Sequence, residues 1–426
     1  MSTATIRTES NKIEKNRYAG KIMFIGGFFF IFGFVTWLNG TLIPYLRIAC
    51  ELQEWESYLV TFAFYIAYTV MAIPSGKLLT RTGMVKGMQI GLLIMAVGCL
   101  MFIPSALTRI YGLFLLGLFI VGTGLTVLQT AVNPYITLLG PAESAAQRIS
   151  IMGVCNKLAG ISAPLVLGVM ILGNSDELLA SLKGLSSSAR AERLDELARA
   201  VILPYCILAA ALTLISFAIK FAKLPEIKSV ADTSKKSLAI WKTAPMILGF
   251  FAIFTSVGTE VVSGDTIGNY GMYHGMRLDV AKNLTSYSLA SGIAGYLFGV
   301  FTIPKYISQE RAYLYSNILG VLITLLVMFT NGISSIVFVA LLNLANALLW
   351  PAVWPQALRG LKGTVVNTAS GILIMGIAGG AIMPLLYGWA ARINGNNQIA
   401  YWVLLPCYIF NMYYWWIGRT HSASTK

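Results

Sequence analysis

AVNP at residues 131–134 and AVWP at 352–355 stand 221 residues apart, and PLVLG at 164–168 and PLLYG at 384–388 stand 220 apart. Either match alone is within reach of chance, but two at nearly one offset mark a weak internal repeat that divides the chain into comparable halves. Outward from these stretches the sequence is a succession of apolar runs. A membrane-crossing helix needs about 20 mostly apolar residues. Runs of that kind lie near 22–48, 58–79, 85–104, 110–138, 147–172, 200–221, 244–272, 283–303, 312–330, 334–358, 364–390 and 398–418. The matched stretches fall in the fourth and tenth runs and in the fifth and eleventh, so the repeat unit is six runs long.

Composition agrees with this reading. Of 426 residues, 57% are hydrophobic and 11% charged, against roughly a quarter charged in soluble domains. A mean hydropathy of +0.72 excludes an ordinary soluble enzyme. The net charge of +14 would point to nucleic acid in a soluble protein, but here it follows the membrane. With alternate connections assigned to one side, 21 of the 31 Lys and Arg share the side of both termini, which the positive-inside tendency makes cytoplasmic. The remainder are nine on the opposite side and Lys157 inside a run. The expected organisation is a cytoplasmic tail at 1–21, six-helix bundles at 22–221 and 244–418, a Lys-rich cytoplasmic linker at 222–243 and a cytoplasmic tail at 419–426. The tail shows no cleavable signal pattern, so the first run is expected to remain as a helix. Between the fifth and sixth runs, 173–199 mixes charges with Leu194 and Leu197 and reads as an amphipathic helix on the periplasmic face. Five scattered cysteines, Cys50, Cys99, Cys155, Cys206 and Cys407, have no metal-binding spacing and read as free, buried thiols.

Three formal charges fall deep within the runs: Lys157 in the fifth, and Glu260 and Asp265 in the seventh. An ionisable group at that depth costs a few kcal/mol, about 2.5–3.5 on insertion scales, and normally faces a partner or an ion path. A buried structural ion pair is the alternative reading for Lys157. One lysine neutralises one carboxylate, leaving a residual negative charge that a single monovalent cation would balance. On an unbroken helix, Glu260 and Asp265 are about 140° apart, so a shared sodium ion requires the helix to open. Gly258, Gly264, Gly268 and Gly271 lie in the same run, and the expectation is a local unwinding near Gly264 that gathers both carboxylates, in the manner of discontinuous transporter helices. Glycine used only for close helix packing is the competing explanation.

Uncharged polar residues form stripes at helical spacing. The fourth run carries Thr126, Gln129, Thr130, Asn133 and Thr137; the first carries Thr36, Asn39 and Thr41 around Trp37 and Gly40; the tenth carries Asn343, Asn346, Trp350 and Trp354. The repeat sets Trp350 against Gln129 and Trp354 against Asn133, so one half offers amides and the other indoles. That combination suits a sugar, whose hydroxyls need several donors and acceptors and whose C–H face packs on a ring. Interfacial anchoring of the tryptophans and helix-to-helix hydrogen bonding by the amides are the competing roles. The stripes contain no Arg, which argues against a phosphate or carboxylate substrate.

The strings TWLNGTLIPYL (36–46), QTAVNPYITLLGP (129–141) and WPAVWPQALRGLKG (350–363), in this order and spacing, resemble the fucose–galactose–proton symporter family of the major facilitator superfamily. The likeness is strongest to its bacterial glucose/galactose branch of the Bacteroidetes type and spans about 20–418. It implies an all-α polytopic fold of twelve transmembrane helices in two pseudo-symmetric bundles, alternating access, and a monosaccharide substrate. The superfamily loop after the second helix is partly present as Gly76, Arg81, Gly83 and Lys86, with Thr80 where an acidic residue is usual. The acidic pair that the fucose permeases carry in the first and fourth helices is replaced by Gly40 and Gln129. Asn156 matches a sugar-contacting amide of the family, and Asn133 matches its Asn-Pro pair. The seventh-helix stretch VGTEVVSGDTIGNYG (257–271) is similar to the glucose/galactose branch, some of whose members are sodium-coupled.

These readings converge on a transporter of the bacterial inner membrane, not an enzyme, importing glucose, galactose or mannose by cation symport. The expected sugar ligands are Trp37, Asn39, Gln129, Asn133, Asn156, Asn269, Asn343, Asn346, Trp350 and Trp354. Coupling is assigned to Lys157, Glu260 and Asp265, with sodium at the two carboxylates ahead of a proton. The partners are the sugar, a monovalent cation and the lipid bilayer; no cofactor or nucleic acid is implied, and a monomer is the expected working unit. A proton symporter or uniporter of the same fold, and a drug:proton antiporter, are the alternatives. A membrane enzyme is disfavoured because the only histidines, His274 and His421, lie apart at helix ends.

Overall fold

The computed structural model describes residues 23–138, 145–172, 182, 185–221, 244–303, 306–357 and 364–423. The side chains of Thr80, 133–138, 145–150, 244–245, Val300, Trp354, Pro355, 364–368, Ser370 and 418–423 lie outside that description, as do residues 1–22, most of 173–184, the linker 222–243, and Arg359 and Lys362.

Helices follow the apolar runs closely. The first span, Met23–Ala49, is interrupted by a turn at Leu38, after which Asn39–Ala49 continues. The second span, Leu59–Thr82, stops at Gly83, whose φ of 81° is a backbone setting that only glycine adopts without strain. Then come the third (Met84–Leu100 with Phe102–Thr108), fourth (Tyr111–Leu138), fifth (Ala145–Leu172) and sixth (Ile202–Ala218). The seventh (Ala244–Asp265, continued by Ile267–Tyr273) and eighth (Leu284–Thr302) open the second set. The ninth is Gln309–Phe329, and the tenth is Ile333–Asn346 continued by Leu349–Ala357. The eleventh is Thr364–Met375 and Gly379–Asn394 joined by a 3-10 turn, and the twelfth is Leu405–Ala423 preceded by the 3-10 turn Ile399–Leu404. Ten of these segments are long and apolar enough to cross a bilayer. The eighth and the twelfth complete the set of twelve.

The repeat seen in the sequence recurs as a contact. A Cβ on Gly33 in the first span would stand 1.8 Å from the Asn156 carbonyl oxygen of the fifth, and a Cβ on Gly379 in the eleventh would stand 1.8 Å from the Phe254 carbonyl oxygen of the seventh. Phe254 follows Gly33 by 221 residues. The same close backbone approach therefore appears in both sets of spans, with the glycine on opposite members of the pair.

The outer surface is apolar. Phe221, Phe301, Phe329, Val169 and Trp416 are exposed, the arrangement expected where lipid rather than water is the solvent. The expected amphipathic helix is present as Ser187–Arg199, with the Ser186 hydroxyl accepting from the Ala189 amide at its start. Leu194, Leu197 and Ala198 are buried. The Tyr45 hydroxyl donates to the Leu197 and Ala198 carbonyls at 2.7 and 3.0 Å, while Arg109 pairs with Asp195 and Arg190 with Glu51. The helix is thereby fastened to the ends of the first and third spans opposite the chain termini. The cysteines are free, but only Cys99 and Cys407 are buried; Cys50, Cys155 and Cys206 are half-buried.

Candidate functional site

The three deep charges do not form one cluster. Lys157 of the fifth span forms a close ion pair with Glu260 of the seventh, so the pair bridges the first six spans and the last six. The lysine side chain is 4% exposed and the carboxylate 18%. The ammonium is sealed, whereas the carboxylate keeps part of its surface exposed. Above the lysine lies the Trp37 ring of the first span, its centroid 4.5 Å from Nζ, a cation–π contact. Trp37 fits because its neighbours lack side chains: a Cβ on Gly160 would stand 2.5 Å from the ring, and one on Gly264 would stand 2.4 Å from it.

That packing corrects the expected unwinding at Gly264. The helix Ala244–Asp265 runs unbroken through Glu260 and Gly264 and ends on Asp265. The irregularity falls after them, at Thr266, and even there the Thr266 amide reaches Val262 and the Tyr270 amide reaches Thr266. Gly264 is the space for an indole, not a hinge. The two carboxylates therefore keep different faces and do not converge on one sodium ion. Asp265 is fully buried; one oxygen accepts from the Thr61 hydroxyl of the second span at 3.4 Å, and the other has no partner. One turn on, the Asn269 amide donates to the Ser57 and Tyr58 hydroxyls at 3.3 and 3.4 Å.

The amides divide into two groups. Gln129 and Asn156 are half-buried with capacity left. Gln129 donates to the Tyr68 hydroxyl at 3.1 Å, and Thr36 also bonds that hydroxyl; Asn156 donates to the Phe29 carbonyl at 3.4 Å. Each bond uses one donor of an amide that has two donors and a carbonyl. Asn343 and Asn346, in contrast, are buried and tie the last six spans together. Asn343 donates to Ser288 at 2.7 Å, Asn346 donates to Ser263 at 3.3 Å, and Asn346 accepts from Tyr408 at 2.8 Å. Asn39 is buried with its amide nitrogen unpartnered. Trp350 is half-buried against the core. The Asn133 and Trp354 side chains lie outside the described residues. In the fourth span, Thr126 and Thr130 spend their hydroxyls on their own helix, at Gly122 and Thr126. Tyr65, Tyr68 and Tyr296, which the sequence reading did not single out, also face this centre. Tyr65 and Tyr296 lie within electrostatic range of Glu260.

Among the described residues, a further group of contacts between the two sets of spans lies at the end opposite the chain termini. Asn397 donates to Glu54, Arg392 sits 5.4 Å from the Trp55 ring centroid, and Tyr58 meets Tyr387 edge-on at 5.8 Å. A Cβ on Gly388 would stand 2.5 Å from Tyr58 and 3.2 Å from the Trp55 Cα. That end is closed. His274 lies there too, its ring edge-on to Tyr270, and burial holds its imidazole below the usual pKa, so it adds no charge at neutral pH.

The chain has clear relatives. The sequence profile of the Major Facilitator Superfamily matches residues 23–382. A glucose/galactose transporter of Brucella abortus biovar 1 (strain 9-941) is 32% identical over 395 residues, covering 92% of each chain. The L-fucose-proton symporter of Escherichia coli (strain K12) is 25% identical over 429 residues, covering 96% of each. Among solved structures, that of the superfamily transporter FucP in the outward conformation superposes with a TM-score of 0.74 at 24% identity, covering 94% of this chain and 99% of that one.

Proposed function

Because the chain belongs to the fucose–galactose–proton symporter family of the Major Facilitator Superfamily, we propose that it imports a neutral hexose of the glucose, galactose or mannose type across a bacterial inner membrane, coupled to a proton. It is a transporter, not an enzyme. The observation that carries the substrate class is the set of half-buried, uncharged hydrogen-bonding groups, Thr36, Gln129, Thr130 and Asn156, in the first, fourth and fifth spans, with Trp350 among the half-buried residues of the tenth. Hydroxyl-rich ligands need that mixture; an anion would need a free cation, and Lys157 is engaged. The relatives named for glucose, galactose and fucose support the same class.

A proton is preferred to the sodium ion that the sequence favoured. Sodium needs several oxygens about one point, and the two carboxylates of the seventh span keep different faces of one helix. Glu260 is occupied by Lys157, and a proton requires only one oxygen. The E. coli relative is named for proton symport. With the termini in the cytoplasm, the closed end is the periplasmic one, and the chain works by rocking 22–221 against 244–418 as a monomer.

The test is counterflow of radiolabelled glucose, galactose, mannose, fucose and N-acetylglucosamine in proteoliposomes, with dyes as the competing substrate class. Gln129→Ala should weaken sugar affinity by about 0.5–1.5 kcal/mol, roughly two- to tenfold, and Trp350→Ala by a similar amount through lost ring packing. Unchanged affinity in both variants would contradict the site. Counterflow of dyes and not sugars would favour the antiporter alternative.

A further inference from the structure

Asp265 and Asn269 occupy one face of the seventh span, one helical turn apart, where side chains at this spacing are neighbours. Both are buried, at 0% and 1% exposure. Each has one oxygen that finds no donor: Oδ1 of the aspartate and Oδ1 of the amide. Two buried acceptors left open on the same face are an arrangement that folding penalises. A proton on Asp265 Oδ1 would turn that atom into a donor, with Asn269 Oδ1, one turn on along the same face, as the open acceptor beside it. The other atoms of the pair already have contacts: Asp265 Oδ2 accepts from Thr61, and the Asn269 nitrogen donates to Ser57 and Tyr58.

Resting on the reading of the chain as a cation-coupled sugar symporter, we propose that Asp265 carries the transported proton, that Asn269 is the positioning residue that accepts its hydrogen bond, and that the second span seals this site in the present state. Asp265 faces Thr61 across the boundary between the two sets of spans, and Asn269 faces Ser57 and Tyr58 in the same way, so opening the closed end separates those contacts and uncovers the carboxyl. The proton then enters from the side from which sugar is loaded, converting carboxylate to carboxylic acid, and leaves by the reverse step when the other end opens. The surrounding titratable groups do not compete for the role. Tyr58 at the start of the second span and Tyr65 within it are phenols, Tyr401 of the turn before the twelfth is bonded to Thr266, Glu260 is held by Lys157, and Arg47 is held on Glu54. Among the described residues, no ion pair reaches Asp265.

The test uses the full chain and two independent readouts. In proteoliposomes, a one-proton symporter accumulates sugar about tenfold per unit of imposed pH gradient. Asp265→Asn should abolish that accumulation while sugar counterflow persists. Asn269→Leu should reduce accumulation or move its pH dependence, and Asn269→Ser, which restores an acceptor oxygen, should recover part of it. In infrared pH-difference spectra of the purified protein, a protonated-carboxyl band should vanish in Asp265→Asn and shift to higher frequency in Asn269→Leu. That readout needs no sugar. Accumulation that survives in Asp265→Asn, an unchanged carboxyl band, or accumulation driven by a sodium gradient alone at equal pH would each overturn the proposal. Wild-type protein that moves no sugar would overturn the functional reading and leave the infrared result to decide the proton site.

Discussion

Lys157→Leu is expected to stop transport and to destabilise the protein by about 3–5 kcal/mol, because removing one partner of a buried ion pair leaves the other as an uncompensated charge. The effect should fall toward the lower end of that range, since the Glu260 side chain is 18% exposed. Lost contact with the Trp37 ring adds to it by about 0.5–2 kcal/mol. The double variant Lys157→Leu/Glu260→Leu should recover most of the stability, as apolar replacement of both partners commonly does, but not transport. Thermal unfolding of the purified single and double variants gives the coupling energy directly. A single variant as stable and as active as wild type would show that the pair does nothing for either state.

The second large effect concerns two glycines. Gly33→Ala and Gly379→Ala each drive a Cβ to 1.8 Å from a backbone carbonyl oxygen of a neighbouring span. No rotamer change relieves a clash with backbone. Overpacking costs about 1–3 kcal/mol and at times more, and these two should reach or exceed the upper end, seen as lost expression of folded protein or a much lower unfolding temperature. Gly27→Ala and Gly371→Ala, whose Cβ would meet nothing within 4 Å, are the matched controls. Equal behaviour of all four variants would refute the close approach of the first to the fifth span and of the seventh to the eleventh.

Much of this architecture could be read from the chain because lipid imposes a strong rule: each crossing must be a long apolar helix. The twelve runs follow from that rule, while the repeat came from matched strings and the surface helix, expected within 173–199 and found at 187–199, from charges mixed with Leu194 and Leu197. That Lys157 pairs with one of the two carboxylates was legible by charge alone, whereas the choice of Glu260 over Asp265 needed the packing. Gly264 was misread because a glycine that permits unwinding and a glycine that admits an indole look alike until the indole's position is known. Asn343 and Asn346 illustrate a similar ambiguity. A sugar ligand and an interhelical tie both place an amide inside the membrane, and the partners Ser263, Ser288 and Tyr408 come from three other spans. Thr61, which faces Asp265, and Tyr68, which holds Gln129, carry no signal of their own, because single hydroxyls are common in apolar helices.

The central claim is that sugar crosses only when the end closed here can open. A reducible thiol-to-thiol crosslink between Glu54→Cys and Asn397→Cys tests it most directly, in protein freed of its five native cysteines. The native side chains at these positions hydrogen-bond across the closed end, so a short disulfide-containing bifunctional reagent spans them. Sugar counterflow that stops on crosslinking and returns on reduction is the predicted result. Counterflow that proceeds equally in the crosslinked and reduced protein would contradict the account.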